Sequence, residues 1–215
     1  MTELSKIASN YKTDKGVTYT NSHCYTEIYD QYFKKLRDEN RKVFIMEIGI
    51  QYGHDLLMIN EYFKGNCEIF GYDIDTTKLQ FDISKYDNIH IFEVDINDRE
   101  YFEGIFNQKY FEAAVGIIPY FDIIIDDGSH QSYDIINGLS ILHKQLSKDG
   151  IYIIEDLHSE DAIDALYYLN FGGDPYGIPD SLEIHKRLKS SIIYNIYDTH
   201  CKEYPVSKCA ILTFK

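Results

Sequence analysis

At 215 residues the chain is long enough to bury a full hydrophobic core without disulfides or a structural metal. Its 35 acidic and 21 basic side chains leave a formal charge of -14, which repels nucleic-acid phosphates and anionic membrane surfaces and argues against both as partners. The longest apolar runs, such as FDIIID, are broken by carboxylates far short of the ~20 residues a membrane span needs.

Cys24, Cys67, Cys201 and Cys209 show no CxxC spacing, and the opening MTELSKIASNYKTDKG lacks the basic and apolar regions of an export signal. A reducing cytoplasm is therefore expected. Tyr25, Ile28, Tyr29, Tyr32, Phe33 and Leu36 recur at spacings of three and four, predicting one buried face of a helix that stops near RDENRK. Val43 to Ile48 (VFIMEI) is a continuous apolar run closed by Gly49, the pattern of a parallel strand covered on both faces. Further strands are predicted at Glu68 to Tyr72, Ile89 to Val94, Phe121 to Ile125 and Ile151 to Ile154. Helical spacings lie between them: Leu56 to Phe63; Tyr101, Phe102, Ile105 and Phe106; and Ile135, Leu139, Leu142 and Leu146. Strands alternating with helices predict a doubly wound, Rossmann-like α/β fold with a mostly parallel sheet, its ligand site beyond the carboxyl ends of the strands. After Glu155 the pattern changes. Ala162 to Phe171 reads as a helix, GGDPYGIP as a loop and candidate hinge, and Ser181 to Leu188 as one more helix. Ile192 to Tyr197 and Ala210 to Phe214 read as a closing antiparallel hairpin joined by a short polar segment. With no repeat or linker to divide it, the chain 1–215 is expected to form one domain.

EIGIQYG, Glu47 to Gly53, sits between the first strand and its following helix. Glycines there let a backbone approach a ligand and leave helix N–H groups free for a carboxylate or phosphate; a turn that needs positive φ is the plainer reading. GYDID ends the second strand, and Asp73 lies 20 residues beyond Gly53, the spacing at which a carboxylate accepts the hydroxyls of an adenosine ribose. A nicotinamide dinucleotide has the same need, but its GxGxxG is missing, because Ile50 to Tyr52 separate the glycines. EVDIND closes the third strand, so Asp95 either lines the adenine edge or caps a helix before Arg99.

FDIIIDDGSH brings Asp126, Asp127 and His130 to the end of the fourth strand, and IYIIEDLH brings Glu155, Asp156 and His158 to the end of the fifth. On neighbouring strands, about 4.8 Å apart, such carboxylates repel unless a cation sits among them. Oxygen ligands favour Mg²⁺, Ca²⁺ or Mn²⁺ over Zn²⁺. Helix capping by Asp126, Asp127 or Asp156 is the alternative for either strand alone. His130 stands three residues after Asp127, either as a base at neutral pH or as a hydrogen-bonded loop residue. His23, His54, His90, His143, His185 and His200 lack such company and read as surface or packing residues.

Six motifs, TDKG at Thr13 to Gly16, HxY at His23 and Tyr25, EIGxxxG, GxDI, FDIIIDDGSH and IxxIEDLH, span about Tyr11 to His158. With them the sequence resembles the class I S-adenosylmethionine-dependent methyltransferases. Within that class it is most similar to the metal-dependent O-methyltransferases of macrolide sugars, the macrocin and mycinamicin type, which have relatives in bacterial surface-polysaccharide clusters. The resemblance implies Mg²⁺ or Mn²⁺ held by Asp127, Glu155 and Asp156, with His130 as general base. It implies S-adenosyl-L-methionine bound by Lys15, Glu47, Gly49, Gly53, Asp73 and Asp95, with Asp126 near the donor's amino-acid end. TDKG would fold over the donor as part of an N-terminal helical lid, 1–40, on a core of 41–215. Where many relatives carry GGS, this chain has Gly53, His54 and Asp55, and Asp55 is expected to cap the next helix in place of Ser. Val94 stands where many have Gly. The additional N-terminal domain of the larger macrolide enzymes has no counterpart in this sequence, and 172–215 match no family motif.

The implied activity is methyl transfer to a sugar hydroxyl, on a nucleotide-activated sugar or capsule precursor. A macrolide glycoside or small catechol is the alternative acceptor. A nicotinamide oxidoreductase and a non-catalytic cofactor-binding regulator are the rival readings, and a homodimer is the commonest assembly for such a chain.

Overall fold

The computed structural model of the protein describes residues 1–18, 22–100, 104, 120–174, 176–197 and 206–215. VFIMEI forms β1 (Val43–Ile48), which lies between β2 (Cys67–Asp73) and β4 (Phe121–Asp126). Outside these lie β3 (Ile89–Glu93), next to β2, and β5 (Leu146–Ile154), next to β4. These five strands are parallel. A hairpin of β6 (Leu188–Tyr197) and β7 (Val206–Phe214) completes the sheet, with β7 antiparallel to both β5 and β6. The order is β3-β2-β1-β4-β5-β7-β6, so the α/β architecture is mostly parallel with an antiparallel end, as the sequence predicts.

Side chains alternate across each strand, and both faces of the sheet are covered. One layer is built from α1 (Glu3–Ala8), α2 (Thr26–Asp38) and α3 (His54–Tyr62). Leu4, Tyr29, Phe33 and Ile59 from these helices pack on Ile45, Ile69, Ile123 and Ile153. The other layer holds α4 (Ser132–Leu142), α5 (Glu160–Asn170) and α6 (Ser181–Arg187), whose Leu139, Leu166 and Ile184 pack on Met46, Phe70 and Tyr152. Each such side chain, fully buried, stabilises the fold by about 1.5–3 kcal/mol. At the amino end of the sheet Arg41 donates two hydrogen bonds of 2.8 Å to the carboxylate of buried Asp122, keeping that end closed.

Several boundaries differ from expectation for identifiable reasons. α1 spans six residues, too few to show a period, and is started by the Thr2 hydroxyl, which accepts from the Ser5 N–H. The apolar spacing that ran from Ile135 to Leu146 crosses a boundary: α4 stops at Leu142, and Leu146 is buried because it pairs with Phe121 at the start of β5. The Ser159 hydroxyl accepts from the Ala162 N–H, which starts α5 at Glu160. Asp55 does not cap α3; the cap position is Gly53, at φ +75° and with no side-chain cap bond. β6 and β7 extend toward each other past the predicted ends, in register from Ser190↔Thr213 to Tyr197↔Val206, with a shift between Leu188 and Ser190. The helix expected at Tyr101, Phe102, Ile105 and Phe106 and the polar connection at 198–205 lie outside the described residues. Among the described residues no helix is long and apolar enough to cross a membrane.

Candidate active site

A cleft of about 520 Å³ opens over the carboxyl ends of β1, β2 and β4, where the strand order reverses direction between β1 and β4. Gly49, Gly53, Asp73 and Asp95 line it on one side and Asp127, His130 and Asp156 on the other. Thr13 and Asp14 of the TDKG segment also face it. Lys15, Glu47, Asp126 and Glu155, expected from the sequence in the same site, are not among its lining residues.

The glycine loop is shaped by close approach. Gly49 has φ +81°, and a Cβ there would overlap the carbonyl of Asp127, because that carbonyl and the loop are drawn together by the Asp127 N–H donating to the Ile48 carbonyl at 2.9 Å. Asp73, at the end of β2, accepts from the N–H groups of Gln51 at 2.8 Å and Asp75 at 2.9 Å. Each of its oxygens keeps a further lone pair for a hydroxyl in the cleft. Asp95 is exposed and accepts from the Asn97 N–H at 2.9 Å, so it caps a turn while lining the cleft.

Beneath the cleft floor lies a buried ion cage. The Lys15 ammonium, 0% exposed, is 2.6 Å from Asp127, 2.7 Å from Glu155, 3.5 Å from Glu47 and 3.8 Å from Asp55. Register explains the convergence: Ile48 pairs with Asp126 and Asp126 with Ile154, which sets Asp127 and Glu155 level just past the sheet. Tyr29 of α2 donates its hydroxyl to Glu155, and Thr13 donates to Asp55. Burial raises the carboxyl pKa values against the pull of Lys15, to about 8 for Glu47 and about 7 for Asp127, and pushes Glu155 well above the usual carboxylate range. Burial alone would discharge Lys15, but Asp127, Glu155, Asp55 and Glu47 override it and hold the ammonium charged.

A second cluster centres on Asp156. Its carboxylate accepts from the Tyr25 hydroxyl at 2.6 Å, with His23 at 3.4 Å and His130 and His158 each at 3.8 Å. His130 and Asp156 both adopt left-handed backbone, φ +59° and +46°, a strain that aims the two side chains at each other. Burial lowers the His130 pKa against the pull of Asp156, so its imidazole is neutral near pH 7. Asp127, His130 and Asp156 present ligand atoms all within 4.8 Å of one another. Two oxygens and one imidazole nitrogen at the edge of a cleft fit a divalent cation, and solvent can complete the shell.

Asp126 is directed elsewhere. Alternation along β4 sends its carboxylate across the sheet from Asp127, under α4, where Tyr152 donates to it at 3.0 Å and the bare Cα of Gly138 leaves it room. Burial pushes its pKa up to about 7. From the sequence, His23 and Tyr25 stand out only as the HxY motif of the resemblance, with no role in the site, Asp55 reads as a helix cap, and Tyr29 has no link to the site. The signal for the tyrosines is their i, i+4 spacing, with Tyr25 at the cap position of α2 and Tyr29 in its first turn, which points both hydroxyls toward the end of β5.

No family model matches the chain. Among curated proteins it is 30% identical over 179 residues to the mycinamicin VI 2''-O-methyltransferase of Micromonospora griseorubida, covering 80% of this chain and 38% of that protein. It is 31% identical over 180 residues to the demethylmacrocin O-methyltransferase of Streptomyces fradiae, covering 80% of this chain and 39% of that one. The chain thus spans about two fifths of the length of the curated relatives it matches. Among solved structures, the MycE methyltransferase of the mycinamycin biosynthetic pathway, in complex with Mg, SAH and mycinamycin VI, superimposes with a TM-score of 0.63 at 24% identity, over 99% of this chain and 54% of that one. The protein is therefore similar in sequence to sugar O-methyltransferases of macrolide pathways, and its fold is that of the class I S-adenosylmethionine-dependent methyltransferases.

Proposed function

We propose that the chain is an S-adenosylmethionine-dependent, divalent-cation-dependent O-methyltransferase acting on a sugar hydroxyl. One observation carries this reading: a single cleft joins the glycine loop and Asp73 on one side to Asp127, His130 and Asp156 on the other. That is the arrangement needed to hold an adenosyl donor against a cation-bound acceptor. The curated relatives, named as O-methyltransferases of mycinamicin VI and demethylmacrocin, support the same reaction class.

Asp73 would accept the ribose hydroxyls, and the bare Gly49 backbone lets a donor lie close to the floor. Asp127 and Asp156 would hold a Mg²⁺ or Mn²⁺ ion, with Glu155 acting from behind through Lys15, and His130 beside them would stay off the ion so that its Nε2 is left for the acceptor's proton. When bound, the donor supplies an electrophilic methyl group and the cation acidifies the acceptor hydroxyl. His130 removes the hydroxyl proton at Nε2, with Asp156 stabilising the imidazolium that results. The cleft walls would position donor and acceptor against each other, and such positioning supplies much of the rate in bimolecular transfers.

The acceptor inferred is a sugar carried on a nucleotide or a surface-polysaccharide precursor. Lys12 and Lys78, which line the cleft, support a phosphate-bearing acceptor there. A neutral glycoside offers the same hydroxyls and is the second reading. The setting inferred is a reducing cytoplasm, in which the free thiols Cys24, Cys67 and Cys209 would persist.

The test is mass spectrometry of methyl transfer from S-adenosylmethionine to nucleotide sugars and glycosides, with Mg²⁺ and with EDTA, beside thermal shifts with S-adenosylhomocysteine and NAD. Transfer that needs the cation is the expected result. A shift with NAD and none with S-adenosylhomocysteine would overturn the reading in favour of an oxidoreductase.

A further inference from the structure

We propose that Lys15 is a positioning residue, an internal cation that holds the site carboxylates together before a divalent ion arrives and, by its charge, weakens the binding of that ion. The proposal rests on the reading of Asp127 and Asp156 as cation ligands. Lys15 does not line the cleft, so its route to the chemistry runs through Asp127, which it touches at 2.6 Å and whose carboxylate also faces the cleft. The ammonium is delivered by a pinned segment: His23 N–H donates to the Asp14 carbonyl at 2.6 Å, Cys24 N–H to Gly16 at 3.1 Å and Thr26 N–H to Lys15 at 3.0 Å.

Two consequences of opposite sign follow. Without a cation, Glu47, Asp127 and Glu155 would face one another in a buried space, so Lys15 stabilises the metal-free fold. With a divalent ion on Asp127, two positive charges share one carboxylate, so Lys15 opposes the ion. An ordinary structural salt bridge would show the first effect and not the second.

The experiment measures Mn²⁺ binding by the paramagnetic resonance of the free ion, and thermal unfolding, on the full chain in mildly alkaline buffer. Lys15→Met is expected to bind Mn²⁺ at least about tenfold more tightly than wild type. Without metal it should melt about 5 °C or more lower, and Mn²⁺ should restore the loss. Lys15→Arg should stay close to wild type in both. Glu47 makes no hydrogen bond among the described residues and is left without a counter-charge in Lys15→Met, so adding Glu47→Gln should recover most of the melting temperature. A Lys15→Met chain that folds with Mn²⁺ and not without it supports the proposal. Wild type binding Mn²⁺ while Lys15→Met binds no more tightly overturns it, as does a double variant that fails to fold even with Mn²⁺. Absence of Mn²⁺ binding by every chain overturns the cation reading and this inference together.

Discussion

The carbonyl of Asp127 occupies the space that a side chain on Gly49 would need. Loop and strand end are thus locked at backbone distance, and the left-handed φ of +81° adds a second cost to any substitution. Gly49→Ala is expected to destabilise the chain by about 3 kcal/mol or more, from overpacking together with backbone strain. Urea unfolding of the two chains side by side measures this, and a loss below about 1 kcal/mol would mean the loop can move away from Asp127.

Asp73 is the expected anchor of the donor ribose. Asp73→Ala should weaken S-adenosylhomocysteine binding by about 1.5–3 kcal/mol in calorimetry, the range for hydrogen bonds to a charged group. An unchanged affinity would remove it from that role and leave it as a brace for Gln51 and Asp75.

His130→Ala should lower kcat by roughly 10² to 10⁴ with donor affinity unchanged. The rate of wild type should rise with pH through a midpoint below the ordinary histidine value of about 6.5, because burial lowers this pKa and the neutral form accepts the proton. A variant that keeps its pH profile and most of its kcat would leave the cation alone to activate the hydroxyl.

His143, fully buried between α4 and β5, makes no side-chain hydrogen bond among the described residues. Burial, and then Arg187 and Lys144, lower its pKa to about 4. The unfolded chain protonates this residue near pH 6.5 and the folded chain does not, so its contribution is intact above about 6.5 and drains away as pH falls toward 4, about 3 kcal/mol in all. His143→Leu should therefore lose less stability than wild type between about pH 7 and about pH 4.5, by 2 kcal/mol or more, in denaturant titrations at the two pH values. Parallel losses would show that His143 reaches solvent in the fold.

The strands were legible because continuous apolar runs such as VFIMEI and FDIII need cover on both faces, and few other arrangements provide it. The meeting of acidic strand ends was legible only on the condition that these two strands are neighbours, and the pairing of β4 with β5 meets that condition. Which carboxylates face the cleft was less so. Period-two alternation separates Asp126 from Asp127 and could have been read from the sequence; the ion cage could not. It joins Lys15 to Asp127 and Glu155 across 112 and 140 residues, through a loop with no period of its own. His23 was set aside because its partner, Asp156, lies on the far side of the sequence and only the paired backbone of the TDKG segment brings them together.

β7 is laid down between β5 and β6, although it follows both in the chain. During synthesis β5 emerges with one side unpaired, and the residues that will cover it leave the ribosome roughly 3 to 10 s later. Through that interval the edge carrying Glu155 and Asp156 is open to pairing with another nascent strand. Leu157, whose N–H is to meet the Lys208 carbonyl at 3.0 Å, has no partner yet. The vulnerable moment in this protein's life is thus set by strand order, and crowded polysomes or the lack of a chaperone should trap it there before it has ever met a substrate.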